Sequence, residues 1–335
     1  MIPILITQVE EACNEYANDI SDFVTTAKSE LNKLTTNVLH PLAEDDLLYA
    51  RTLELYLDKI VLGNPTQLRI YKAVFEDFIN PEVMKSDAKK EFRNNIIDAL
   101  DYKGIRSKFL PKYFQYLGIK ACIYCNSQIT VSVNITEYNI TEVKRIKTEK
   151  TTVKAKFQVD HYIPKSDYPC FSISLYNLYP VCASCNNSKS TTPLNFDLYT
   201  DDISKTKKSD YSFKLKDGCV LDYLTSGNKE VIEVYFMDPQ KPDREITVEG
   251  SFQDTFDIEG IYETQKDLVE ELILKAKIYD DSYKQTLIKS FPKLFTNASL
   301  SNRFFLGNYI DPEDIHKRPM AKFVQDIARQ LELIK

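Results

Sequence analysis

Long apolar runs are missing from this 335-residue chain. None approaches the roughly 18 to 20 residues that a bilayer-spanning helix needs, so the sequence reads as that of a soluble protein. The opening MIPILITQVEEACNEYAND has a short apolar patch flanked by acids, and no small-residue cleavage site follows it, so no secretion signal is expected. There is no GxxxxGK[ST] loop and no GxGxxG fingerprint, which leaves nucleotide hydrolysis and dinucleotide binding without a motif. Internal repeats and low-complexity tracts are absent as well. Net positive charge is also lacking: 43 basic against 49 acidic residues leave −6 at neutral pH. That balance argues against indiscriminate nucleic-acid binding by the whole surface, so any polyanion site has to be a local basic patch. Histidine is scarce, with three in the chain, and each needs an account; His40, beside Pro41, reads as structural.

What is present predicts an α+β protein of two or three packed units around a substantial core, given the length and 43% hydrophobic residues. Residues 1–117 carry apolar positions at three- and four-residue steps, such as Val9, Ala12, Tyr16, Ile20, Phe23, Ala27 and Leu31. Breaks fall at Gly63-Asn64-Pro65 and Asn80-Pro81, so this part reads as a helical scaffold or interaction region without chemistry of its own. After Cys125 the period becomes two, at Ile129, Val131, Val133 and Ile135 and again at Val153, Ala155, Phe157 and Val159, which predicts an extended hairpin. Lys144, Arg145, Lys147 and Lys150 concentrate positive charge between these strands, either as a solvated face or as a phosphate-contacting arm. Residues 118–195 form the predicted central domain. Residues 196–335 read as β-rich at Val231–Phe236 and Glu245–Val248, then helical around Leu268, Leu272 and Ala276 and again from Met320.

The chemistry gathers in the middle. Cys122-Ile-Tyr-Cys125 and Cys182-Ala-Ser-Cys185 are two CxxC knuckles, and thiolates at that spacing can share one Zn²⁺ in a closed structural site. Free or redox-active thiols are the alternative, though neither pair lies in a βαβ pattern. Seven cysteines, four of them in such pairs, fit a reducing compartment, with the cytoplasm as the default. Asp160 and His161 lie between the knuckles. On an extended strand their side chains diverge, so Asp160 can hold a divalent cation while His161 faces a water to be deprotonated. Asn186 offers a neutral amide oxygen as a second ligand, and hard-oxygen ligation of this kind suits Mg²⁺ or Mn²⁺.

The order Asp160-His161-Tyr-Ile-Pro164, Asn177-Leu-Tyr-Pro180-Val-Cys182 and Cys185-Asn186-Asn187-Ser-Lys189 resembles the HNH endonucleases and their ββα-metal motif. Asn186 stands where many members carry a third His, which makes this an HNN variant. The resemblance covers Cys122 to Lys189. A fainter likeness, at Leu306–Tyr309 and Ile315–Pro319, is to the HNH components of Septu-type phage-defence systems. The HNH resemblance implies a metal-dependent phosphodiesterase acting on DNA, with RNA also open because the centre reads the backbone. In that reading His161 is the general base, Asp160 and Asn186 hold Mg²⁺ or Mn²⁺, Asn177 ties down the intervening loop, and Lys189 contacts a backbone phosphate. For Asn177 ordinary loop capping is the alternative. An ATPase partner is implied too, docked on the first helix or on the tail from Asp311 to Lys335. A zinc-stabilised binding or adaptor module without catalysis is the competing reading.

Overall fold

The computed structural model describes residues 1–141, 146–241 and 248–334. The architecture is α+β. Two helices, Ile6–Glu15 and Ala17–Thr35, replace the single long opening helix that the periodicity predicts, because the chain turns at Tyr16. Helix Glu44–Val61 follows, with Glu44, Asp45 and Asp46 at its positive end and Lys59 in its last turn, as the helix dipole favours. The predicted break at Gly63-Asn64-Pro65 is the start of helix Pro65–Phe78: Asn64 accepts from the Gln67 amide and the Gln67 side chain accepts from the Asn64 amide, a reciprocal cap. Helices Lys90–Ala99, Tyr102–Lys108 and Leu110–Tyr116 complete the helical block. Among the described residues no helix is long and apolar enough to cross a membrane.

Helix Tyr102–Lys108 is set by its first turn. Asp101, in the left-handed region at φ 46°, caps the helix by accepting from the Gly104 amide at 3.1 Å. A Cβ on Gly104 would meet the Asp101 carboxylate at 2.1 Å, so glycine is what lets that carboxylate close over the helix end.

The long hairpin is present as antiparallel Val131–Thr141 and Ile146–Lys156, with Val131 opposite Lys156. The alternation at 153–159 predicts one continuous strand into Asp160, but the chain breaks at Phe157, whose ring packs edge-on against Phe114 at 5.5 Å. A separate strand, Gln158–His161, then pairs antiparallel with Leu178–Val181 in a short hairpin. Helix Ala183–Lys189 follows at once. Of the predicted basic arm, Lys144 and Arg145 lie outside the described residues, as do the side chains of Lys147 and Lys150.

Further along, Ser212–Leu215 pairs with Val234–Met237, a strand that begins three residues later than its apolar run because Lys229–Val231 forms a 3₁₀ turn. Most of the strand predicted at Glu245–Val248 lies outside the described residues. Helices Lys266–Ile278 and Ala321–Gln330 match the returning helical period. Buried side chains from all three predicted segments join one continuous core, from Val9 and Leu53 through Phe171 and Leu178 to Phe213, Tyr262 and Phe323.

This core overturns the expected docking elements. Val9 and Ala12 of the first helix are buried, and Phe323, Val324, Ile327 and Ala328 pack the helix at 321–330 into the interior, so neither is a free stripe for a partner. Helix Asp281–Ser290 is the reverse case, with no buried residue.

Candidate metal centre and its groove

The four cysteines of the two knuckles converge. Their Sγ atoms lie within 4.8 Å of one another, with Cys125 and Cys182 at 4.0 Å. A tetrahedral zinc with Zn–S of about 2.3 Å sets sulfur pairs about 3.8 Å apart, so the group can hold a structural metal ion such as zinc with little adjustment. The surrounding donors fit thiolates: the Ser127 hydroxyl donates to Cys125 Sγ at 3.1 Å and the Cys182 amide to Cys122 Sγ at 3.3 Å. Cys182 also caps the helix that starts after it, accepting from the Cys185 amide at 3.5 Å.

The second half of the chain locks the first knuckle. Asn126 holds a left-handed backbone at φ 53°; its side chain donates to the Ile315 carbonyl at 2.8 Å and accepts from the Lys322 amide at 3.0 Å. Tyr262 donates its hydroxyl to the Cys125 carbonyl at 2.7 Å.

Asp160 and His161 end the strand Gln158–His161 and face different surroundings, as strand geometry requires. Asp160 accepts from the Tyr124 hydroxyl at 2.6 Å and pairs with Lys189 Nζ at 3.2 Å. Burial raises its pKa, against the opposing pull of Lys189 and Tyr124. Tyr124 belongs to the first CxxC, so the zinc knuckle and the carboxylate share a residue. On the other side, His161 lies 4.8 Å from the Tyr102 ring, and its Nε2 is 3.0 Å from the Ser172 carbonyl. That carbonyl can only accept, so Nε2 carries the proton and Nδ1 keeps the lone pair. Burial, then the charge of Lys165, pushes the imidazole down to about 3, which leaves it neutral at physiological pH.

Asn177 is buried between the two arms of the loop joining the strands. It accepts from the Ile163 amide at 2.7 Å and donates to the carbonyls of Ile163 and Phe171, both at 3.1 Å. Asn186 sits on the helix of the second knuckle and donates to Gln158 Oε1 at 2.7 Å, an arrangement that leaves its carbonyl oxygen as a donor toward a cation.

Lys189 is placed differently from its expected role. Its side chain is 0% exposed and binds Asp160 and the His161 carbonyl, the latter at 3.1 Å. A phosphate in solvent cannot reach it, and its charge is matched to the buried carboxylate instead.

Sequence reasoning missed the contribution of the helical block. Tyr102 and Arg106 come from helix Tyr102–Lys108, and Arg106 lines an open groove with Pro111, Lys154, Phe157, Gln158 and Asn186. Lys165, which reads as a solvated surface residue, lies 4.4 Å above the Tyr102 ring. The one signal in the sequence was the pair Tyr102 and Arg106, four apart on a helix, and nothing in it pointed to His161. The helical block also grips the loop that Asn177 ties: the Tyr49 hydroxyl meets the Cys170 amide, Ser174 donates to the Ile60 carbonyl at 2.8 Å, and Tyr168 bonds Glu76. Comparison of the chain with protein-family profiles, with curated proteins and with solved structures gives no match.

Proposed function

We propose that this protein is an HNH-class endonuclease that hydrolyses DNA phosphodiester bonds, with structural zinc and catalytic Mg²⁺ or Mn²⁺. The observation that carries the reading is a single juxtaposition. Two antiparallel strands followed directly by a helix carry Asp160 and a neutral His161 at the end of the first strand and Asn186 on the helix, where it lines an open groove with Gln158, and Asn177 ties the loop between the strands. A divalent ion on Asp160 and Asn186 would supply Lewis acidity toward a phosphate oxygen and the departing 3′ oxygen. His161 accepts the proton of the attacking water at Nδ1, while the Ser172 carbonyl fixes the tautomer and the ring. Tyr124 and Lys189 hold the Asp160 carboxylate in place. The products carry 5′-phosphate and 3′-hydroxyl ends. RNA presents the same backbone and is the second substrate to test.

Four clustered thiols suit a reducing compartment, and we assign the protein to the cytoplasm, as the nuclease of a bacterial anti-phage system gated by an ATPase partner. The surface left for such a partner includes Tyr283, Ile288, Phe291 and Leu294, all exposed on or just beyond helix Asp281–Ser290.

Supercoiled plasmid, and in parallel a labelled RNA, incubated with the zinc-loaded chain and Mg²⁺ or Mn²⁺ tests the reading. Nicking by the wild type, with a loss of at least about 100-fold in His161→Ala at unchanged melting temperature, is the expected result. Binding without any cutting, alone or with the co-expressed ATPase, supports the non-catalytic adaptor instead. Equal cutting by His161→Ala removes the base assignment.

A further inference from the structure

Two cations beside His161 have no carboxylate partner. Among the described residues Arg106 and Lys165 form no ion pair, whereas Lys189 pairs with Asp160. They come from different parts of the fold, Arg106 from the helix capped by Asp101 and Lys165 from the loop after His161, yet both lie against one ring. Arg106 Cζ is 5.7 Å and Lys165 Nζ 4.4 Å from the centre of Tyr102. That ring is buried and packs on the His161 imidazole at 4.8 Å.

The aromatic platform accounts for how two like charges are tolerated side by side, since each gains from the ring's negative face. It does not neutralise them. Burial and the nearby Arg106 charge lower the Lys165 pKa, so the pair bears an electrostatic cost that an anion would relieve. Arg106 also lines the groove that holds Asn186 and Gln158, with exposed Lys154 on the same wall. An extended anion lying in that groove therefore meets Arg106, and Lys165 lies against the same Tyr102 ring as Arg106, next to the imidazole.

We infer that Arg106 and Lys165, held on Tyr102, form a phosphate-binding subsite that seats a nucleic-acid phosphodiester beside His161 before any divalent ion takes part. The inference rests on the nuclease reading for its choice of a nucleic-acid phosphate, and it adds a residue from the helical block to the substrate path. Arg106 supplies the planar fork suited to two phosphate oxygens, and Lys165 a point charge.

The test is binding of a short fluorescein-labelled single-stranded phosphodiester DNA to the zinc-loaded chain, without added Mg²⁺ or Mn²⁺, over a range of salt. A methylphosphonate copy of the same sequence is run beside it. Wild type is expected to bind the charged strand at least tenfold more tightly than the neutral one. Arg106→Ala and Lys165→Ala are each expected to lose about tenfold in affinity and to reduce the salt slope by about 0.7. Arg106→Lys should recover part of the affinity, and melting temperatures within about 2 °C of wild type would show that the fold is kept. Affinity and salt slope unchanged in both alanine variants, or equal binding of the neutral strand, would overturn the subsite. Cleavage is measured separately: a chain that shows the binding losses but never cuts keeps the subsite and loses the nuclease reading, and a chain that cuts with both variants binding like wild type does the opposite.

Discussion

Replacing Asn177 tests whether one buried amide holds the loop beneath the candidate centre. Its side chain makes three hydrogen bonds, one from the Ile163 amide and two to the carbonyls of Ile163 and Phe171, and the residue is 1% exposed. Alanine removes all three and leaves the Ile163 amide and carbonyl without those partners, while the Phe171 carbonyl keeps the Ser174 amide at 3.2 Å. An unsatisfied buried group costs about 1–3 kcal/mol, and partial relaxation toward the small cavity brings the total to about 3–5 kcal/mol. Out of a total stability of about 5–15 kcal/mol that is a large share, equivalent to a fall in Tm of about 4–7 °C for a chain of this length. Aspartate sharpens the test because it is isosteric. It still accepts from the Ile163 amide, yet it points a second oxygen at the Ile163 and Phe171 carbonyls, where repulsion replaces two hydrogen bonds. At pH 7 Asn177→Asp should therefore be at least as damaging as Asn177→Ala. Urea unfolding followed by circular dichroism measures both. A loss below about 1 kcal/mol in either variant would show that the amide is an ordinary loop cap and that the strands and the zinc knuckles hold the loop without it.

Two further outcomes follow from the same geometry. Wild type purified without chelator should carry about one zinc per chain by elemental analysis, and Cys122→Ser should lose both the metal and cooperative melting, since binding energy at a closed thiolate site is folding energy; a wild type that folds with no metal contradicts this. His316 is buried, bonds the Ile2 carbonyl through Nε2 and leaves Nδ1 without a partner, and burial pushes its pKa down to about 4. The unfolded imidazole titrates near 6.5, so its contribution is present above that pH and is lost as pH falls: about 2 kcal/mol by pH 5 and about 3 kcal/mol below pH 4. His316→Gln should flatten that part of the stability profile between pH 7 and 5 in urea titrations, and an unaltered profile would refute the assignment.

Much of the centre was legible in the sequence because its signals are local. CxxC spacing fixes which sulfurs can share an ion, and the adjacency of Asp160 and His161 on a strand fixes that they diverge, whatever the rest of the chain does. The helix ends at Asn64-Pro65 were equally plain, being written in capping chemistry. The misreadings share a different cause. Lys189 and Lys165 look alike in sequence, since a lysine after a CxxC knuckle and one after a proline both belong on a surface by composition. Only the fold buries the first against Asp160 and lays the second on Tyr102. The closing helix likewise shows the same amphipathic stripe whether it meets a partner or its own core, and the contact that decides is the distant one between Lys322 and Asn126.

On the proposed function, charge at the centre would let a protein of net charge −6 receive a polyanion. Around His161 the described charged groups are Asp160, Lys189, Arg106 and Lys165. Lys189 is committed to Asp160 at 3.2 Å inside the core, where water screens neither, so that pair contributes little field outside. Arg106 and Lys165 are left over, and Lys154 adds a third positive charge along the groove wall. Acids farther than about 8–10 Å from the groove are screened at physiological salt. A phosphodiester in the groove would thus meet Arg106 and Lys154, while the net negative remainder of the protein offers the rest of the strand no general attraction. Such an arrangement favours a short, centred contact over broad coating, and it sets the groove, rather than the surface as a whole, as the place where ionic strength should act.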